Sequence, residues 1–191
     1  MKIYIFSLQN TFWDWNLTNI HHCITPDKLH EIDKDVFCHL INWFTMMVKS
    51  HYGIAGLEEL DWRFQVIPRF TGLKHFPQGI TGLSALTAKD YRQIAKVILP
   101  IVSDLLPDRE PVMTFYHFLQ WWHLIGKTSH SEDTIMEAKA ELIAFIEHVK
   151  MFRLYSKSSF NFPKFHSMSH YTTFIKSRGS LDNFTTEHYE H

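Results

Sequence analysis

The spacing of apolar residues constrains this chain more than any other feature, because it is helical almost throughout. Leu29, Ile32, Val36, Phe37, Leu40, Ile41, Phe44, Met47 and Val48 recur three and four residues apart, the stripe of an amphipathic helix. Thr25 suits an N-cap, Pro26 the first helical position and Asp27 the positive end of the helix dipole. The pattern predicts a helix of about 27 residues ended by Gly53. A shorter helix, Leu57 to Val66, follows and stops at Pro68. Residues 70–84 hold Gly72, Gly79, Gly82 and Phe76-Pro77, the turn chemistry of an ordered loop.

Further along, Thr87-Ala-Lys-Asp90 reads as a capping box opening a helix that runs to Pro107. Pro111 to Ile125 is an aromatic helix, apolar on most sides, and its expected place is the centre of a bundle. Ser131-Glu-Asp opens a helix whose inner face carries Ile135, Leu142, Phe145, Ile146, Val149 and Phe152. Residues 160–163 form a break, Lys164 to Arg178 is helical again with Gly179 just past its end, and Thr185-Thr-Glu187 starts a last helix. Strand signals are nearly absent. The expected fold is mainly α, a bundle with at most a short N-terminal strand, and no linker divides it.

Charge and cysteine content narrow the function classes. Lys and Arg total 19 against 20 Asp and Glu, a formal net charge of −1. That excludes nucleic-acid binding through bulk charge but leaves room for a local basic face. Two cysteines cannot build a disulfide framework and fit a reducing compartment. No apolar run approaches the roughly 18 residues of a membrane helix, so no membrane partner is expected. The apolar start, MKIYIFSLQ, is short, and no small-residue cleavage site follows before Trp13. It is not read as a secretion signal.

Candidate chemistry sits in four places. His166-x-x-x-His170 puts two imidazoles on one helix face at metal-compatible spacing, with Cys23 and Cys38-His39 as further soft donors. No CxxC pair or HExxH motif joins them, and ordinary helix histidines satisfy the same pattern. Asp27 and Glu190, locally, are first-turn acids that favour the helix dipole. Lys157, Lys164, Lys176 and Arg178 are interleaved with Phe160, Phe162, Phe165, Tyr171 and Phe174, near His166 and His170. Such a segment can track a phosphate backbone, although a solvated helix face is the commoner outcome. Trp43, Trp62, Trp121 and Trp122 lie on apolar faces and are expected in the core.

The order of motifs resembles a known family. Asn10-x-Phe12-Trp13, Thr18-Asn-Ile20 and Thr25-Pro-Asp-x-Leu-His30 are followed by Asp33-Lys-x-Val-Phe37 and His39-Leu-x-x-Trp43. Leu60-Asp-x-Arg-Phe64, His75-Phe-x-x-Gly-Ile80 and Leu86-Thr-Ala-Lys-x-Tyr91 come next. The series closes with Asn161-Phe-Pro-Lys-x-His-Ser167, His170-Tyr171, Gly179, Asp182-Asn183 and Thr186-Glu-x-x-Glu190. Together they resemble the transposases of Plavaka-type DNA transposons of basidiomycete fungi, allied to the CACTA-type and Kyakuja–Dileera–Zisupton groups.

That resemblance implies an RNase H-like catalytic core with three carboxylates, binding Mg²⁺ or Mn²⁺ for phosphodiester strand transfer on transposon-end DNA. Two such ions clamp the attacking and leaving oxygens, and hard cations take oxygen ligands. Asp27 corresponds to the second acidic residue, with His30 placed to orient it. Glu190, or alternatively Glu187, corresponds to the third. Asp27 and Glu190 would be the metal ligands, and Lys157, Lys164, His166, His170, Lys176 and Arg178 the DNA contacts. The implied divisions are a catalytic-core edge over 1–24, a helical insertion bundle over 25–164, and a return toward the core over 165–191. Lys34-Asp35 replaces the family's Lys-Gly, and Glu190-His191 its Glu-Arg. The first acidic residue would precede Met1, so the polypeptide alone is expected not to cut DNA. A nuclear or cytoplasmic setting and self-association through exposed apolar faces, in the N-terminal segment and 165–191, are further expectations. The alternatives are a non-catalytic DNA- or protein-binding helical module and a histidine-ligated metalloprotein.

Overall fold

Helices form wherever the three-and-four spacing runs on, and the computed structural model describes them over residues 27–156 and 163–183. The chain is mainly helical, and no strand occurs among the described residues. Leu29–Val36 is wound as a π-helix, in which the Phe37 N–H reaches back to the Ile32 carbonyl. It passes directly into α1 (Phe37–Gln65). There follow α2 (Ala88–Ala95), α3 (Ile98–Val102), α4 (Glu110–Ile125) and α5 (Glu132–His148). A 3₁₀ segment, Val149–Tyr155, extends α5. After it come α6 (Pro163–Met168), α7 (Tyr171–Arg178) and a final 3₁₀ turn, Leu181–Asn183.

Local sequence accounts for most of these boundaries. Gly53 breaks α1 at φ 64°, ψ −142°, where the expected helix stops. Side chains are rarely tolerated in that region of backbone space. At α2, the Thr87 side chain accepts from the Asp90 N–H (3.2 Å) while the Asp90 carboxylate accepts from the Thr87 N–H (3.0 Å). Ser131 and Thr134 cap α5 in the same reciprocal way. Gly179, at φ 85°, ends α7.

Three expectations are corrected. Within the long N-terminal helix, Leu29–Val36 is π-wound rather than α. The helix expected from Thr87 to Pro107 is two pieces broken at Lys96-Val97, because Pro100 has no N–H for the Lys96 carbonyl and its ring would crowd that group. The helix expected over Lys164 to Arg178 is interrupted at Ser169-His170. There the Ser169 hydroxyl takes the His166 carbonyl (2.6 Å) and the His170 N–H takes that of Ser167 (3.0 Å), a local alternative to continued helix.

One hydrophobic cluster runs from Ile32 to Leu181. Aromatic α4 is its axis. Phe115, Phe118 and Trp121 are buried, Phe118 stacks on Phe37 (5.4 Å), and Trp121 meets Tyr171 edge-on (5.7 Å). Trp43 and Trp121 are in the core as expected. Trp122 is half-buried, and Trp62 is 54% exposed because the inner face of that half of α1 is taken by Leu60 and Phe64. Apolar exposure in the 165–191 stretch does not appear among its described residues, where Met168, Tyr171, Ile175 and Leu181 are buried. Among the described residues, exposed large apolar groups include instead Ile54, Trp62, Val66 and Phe70 in and just after α1, and Ile143 and Leu154 along α5 and its extension. Residues 1–24, including the possible strand, lie outside the described region. No described helix is long and apolar enough to cross a membrane.

From the loop between α1 and α2, one carboxylate gathers three donors. Asp61 Oδ1 accepts from the N–H groups of Ile80 (2.7 Å) and Thr81 (2.9 Å), and Oδ2 accepts from the Thr81 hydroxyl. Gly79 makes this approach possible: its φ is 73°, and a Cβ there would fall 2.1 Å from Asp61 Oδ1. Gly79→Ala is therefore expected to destabilise the fold by at least about 1–3 kcal/mol from backbone strain alone. A urea midpoint equal to that of the unsubstituted protein would refute this.

Candidate functional site

The π-helical segment concentrates the charged chemistry. Asp27 precedes it, and its Oδ1 accepts the Leu29 N–H (3.2 Å) as a cap would, while Oδ2 pairs with His30 Nδ1. The motif that singled out Asp27 thus brings His30 onto the same carboxylate. Asp27 retains partial solvent access.

Six residues further on, Asp33 is buried to 2% exposure. Its Oδ1 accepts from Trp122 Nε1 (2.6 Å) and Lys28 Nζ (3.2 Å), and its Oδ2 from Arg92 Nε (2.6 Å). Lys28 Nζ also lies over the Trp122 ring, 4.3 Å from its centroid. A carboxylate this deep requires such partners, since a buried unpaired charge is strongly unfavourable. Asp33 therefore joins the π-segment to α2 and α4.

Between these two acids, Glu31 turns toward the C-terminal helices. Its Oε2 accepts from Ser167 Oγ (3.1 Å) and from the Tyr171 hydroxyl (3.4 Å). Tyr171 is fully buried. Burial pushes its hydroxyl well above the ordinary tyrosine range, and the negative charges of Glu31, Asp27 and Asp33 add to that. Tyr171 is thus a neutral hydrogen-bond donor set among three acids.

The residues expected to contact DNA are only partly gathered. Lys164 Nζ pairs with Asp35, and Lys176 Nζ with Glu132 Oε2 (2.7 Å). Arg178 lies over the Phe174 ring (5.9 Å). His166 and His170 are exposed and face each other, Nε2 to Nε2 at 3.2 Å. Lys157, Glu187 and Glu190 lie outside the described residues, as does Cys23. Cys38 is half-buried and its Sγ accepts from Asn42 Nδ2 (3.3 Å), whereas His39 Nε2 meets Asp35 Oδ1 (3.4 Å).

Asp33, Arg92, Trp122, Glu31 and Tyr171 were not expected as a site. The signal for Asp33 was present, because an acid stands on the apolar stripe between Leu29 and Phe37. Two of its partners, Arg92 and Trp122, lie 59 and 89 residues away and carry no local signature. A second group was equally hidden. Glu110-x₆-His117 on α4 and Glu141-x₆-His148 on α5 pair reciprocally across the antiparallel helices. His117 Nδ1 meets Glu141 Oε2 (2.7 Å) and His148 Nδ1 meets Glu110 Oε2 (2.6 Å). The two imidazoles stack at 5.0 Å, only 8° from parallel.

The Mg²⁺ or Mn²⁺ centre implied by the resemblance needs convergent carboxylates. Among the described residues no group of three or more His, Cys, Asp or Glu side chains is placed to hold a metal ion. Both oxygens of Asp27 are already engaged. These residues do not by themselves fit a two-metal centre. Compared with protein-family models, curated proteins and solved structures, the chain gives no match.

Asp33→Ala would leave Arg92, Lys28 and the Trp122 indole without their shared acceptor. The expected loss is about 3–5 kcal/mol, the cost of breaking a buried charge network, with a red shift in Trp122 emission. Equilibrium urea unfolding followed by fluorescence measures both; an unchanged midpoint would show that Asp33 does not hold the helices together.

Proposed function

We propose that this chain is a helical module of the Plavaka-type transposase lineage that contacts DNA through the 163–178 region and does not cleave it by itself. One observation carries the reading. Two of the motifs behind the resemblance, Pro26-Asp-x-Leu-His30 with its continuation through Asp33, and Lys164-x-His-Ser167 with His170-Tyr171, are separated by over a hundred residues. They meet through Glu31, which accepts from both Ser167 and Tyr171. Distant motifs that assemble at one locus are what a shared functional region needs, and this supports the reading.

The electrostatics are compatible with it. Lys164 and Lys176 are paired with acids; the Lys176 pair is solvent-exposed and the Lys164 pair half-buried. Such pairs contribute only about 0–1 kcal/mol, so a phosphate can replace the carboxylate at small cost. His166, His170 and Arg178 are also on the surface. Residence in the nucleus or cytoplasm goes with this function. A second reading, self-association, is favoured by Trp62 near the end of α1 and Val66 just past it, both about half exposed, with Phe70 following in sequence.

Anisotropy of a labelled DNA duplex tests the proposal. Affinity is expected to fall steeply with salt, and the Lys164→Gln/Lys176→Gln/Arg178→Gln variant to reduce the log–log salt slope by about two to three. An unchanged slope would place DNA elsewhere, and the absence of binding at low salt would favour self-association, read by sedimentation. Incubation of supercoiled DNA with Mg²⁺ or Mn²⁺ is expected to give no nicking. Nicking abolished by Asp27→Ala would overturn the non-catalytic part.

A further inference from the structure

The pair His166 and His170 has a geometry that neither a DNA contact nor the helix packing requires. The two rings are perpendicular (89°), with centroids 4.8 Å apart and the Nε2 atoms 3.2 Å apart. Ions with metal–nitrogen bonds of about 2.0–2.1 Å hold two imidazole nitrogens about 3.3 Å apart in tetrahedral geometry and about 2.9 Å apart at a right angle. The observed separation, a hydrogen bond between the two rings, falls between these values. An ion that displaces the shared proton can therefore take both nitrogens with only a small reorientation of the rings. We propose that His166 and His170 form a chelating site for a divalent late transition ion of the Zn²⁺ or Cu²⁺ class, with water completing its coordination.

The break between α6 and α7 sets this geometry. His166 stands in the last turn of α6 and His170 immediately precedes α7. The Ser169 hydroxyl holds the His166 carbonyl (2.6 Å), and the His170 N–H holds that of Ser167 (3.0 Å). These bonds fix the backbone of the turn, so little ordering remains to be done when the ion binds. Both imidazoles are exposed, which leaves access for the ion and its waters. The donors are nitrogen, so Mg²⁺ and Ca²⁺ are disfavoured.

The second histidine pair supplies an internal contrast. His117 and His148 are stacked nearly parallel at 5.0 Å, with both Nδ1 atoms engaged by glutamates. Parallel rings at that spacing cannot direct two lone pairs at one ion. Proximity of histidines alone is therefore not the criterion; convergence of Nε2 atoms is. The inference stands independently of the DNA-binding reading.

The test is titration of the full chain with CuCl₂, read by electron paramagnetic resonance, and with ZnCl₂, read by histidine ring ¹⁵N shifts. The first equivalent of Cu²⁺ is expected to show two imidazole nitrogens, and the first Zn²⁺-dependent shifts to fall on His166 and His170. Either His166→Gln or His170→Gln should weaken the tightest site by at least about tenfold through loss of chelation. His51→Gln, on the exposed bend of α1, should leave it unchanged. The substituted side chains are exposed, so unfolding midpoints measured in parallel should not move. A first Cu²⁺ site with one nitrogen, first Zn²⁺ shifts at other histidines, or a tightest site that survives the double substitution would each overturn the proposal.

Discussion

The buried carboxylate of Asp33 organises the structure around itself. A carboxyl group at 2% exposure is tolerated only where donors surround it, and here they come from Lys28, Arg92 and Trp122. Each donor fixes one element relative to the π-wound segment: its own start through Lys28, α2 through Arg92, and α4 through Trp122. Leu29, Ile32, Asp33 and Val36 of this segment all face inward, three and four residues apart. The apolar partners of α1 then follow in register, and Phe37 stacks on Phe118 beside the ion network.

Much of the fold was legible in the sequence because local physics decided it. Thr87 with Asp90, Ser131 with Thr134, Gly53 and Gly179 mark boundaries by capping or by backbone freedom, and these act within a few residues. The errors arose where a local rule was present but outweighed or unread. Pro100 split a helix that its apolar spacing seemed to continue, and Ser169 diverted a carbonyl from the helix ladder. The π-winding had no local marker beyond Asp33 itself. Trp62 shows the limit of composition: an indole on a periodic face was assigned to the core, yet Leu60 and Phe64 occupy that face.

The candidate site was legible only in part, for a related reason. Asp27 and His30 are close in sequence, so their contact could be read from spacing. Glu31, Ser167 and Tyr171 meet across more than 130 residues, and no period in the chain announces that. Lys164 and Lys176 read as part of a locally basic segment, and the acids that pair with them, Asp35 and Glu132, come from distant helices that the local pattern does not announce. The histidines divide similarly. His30, His117 and His148 are held by carboxylates, while His166 and His170 face one another in the open.

The claim that one buried ion network holds the π-segment against the rest of the bundle is tested most directly by a double-mutant cycle. Stability would be measured for Asp33→Ala, Arg92→Ala and the double variant by urea unfolding. The account predicts a coupling energy of about 1–3 kcal/mol, with the double variant losing far less than the sum of the single losses. Additivity within about 0.5 kcal/mol would contradict it, since Asp33 and Arg92 would then stabilise the fold independently of each other.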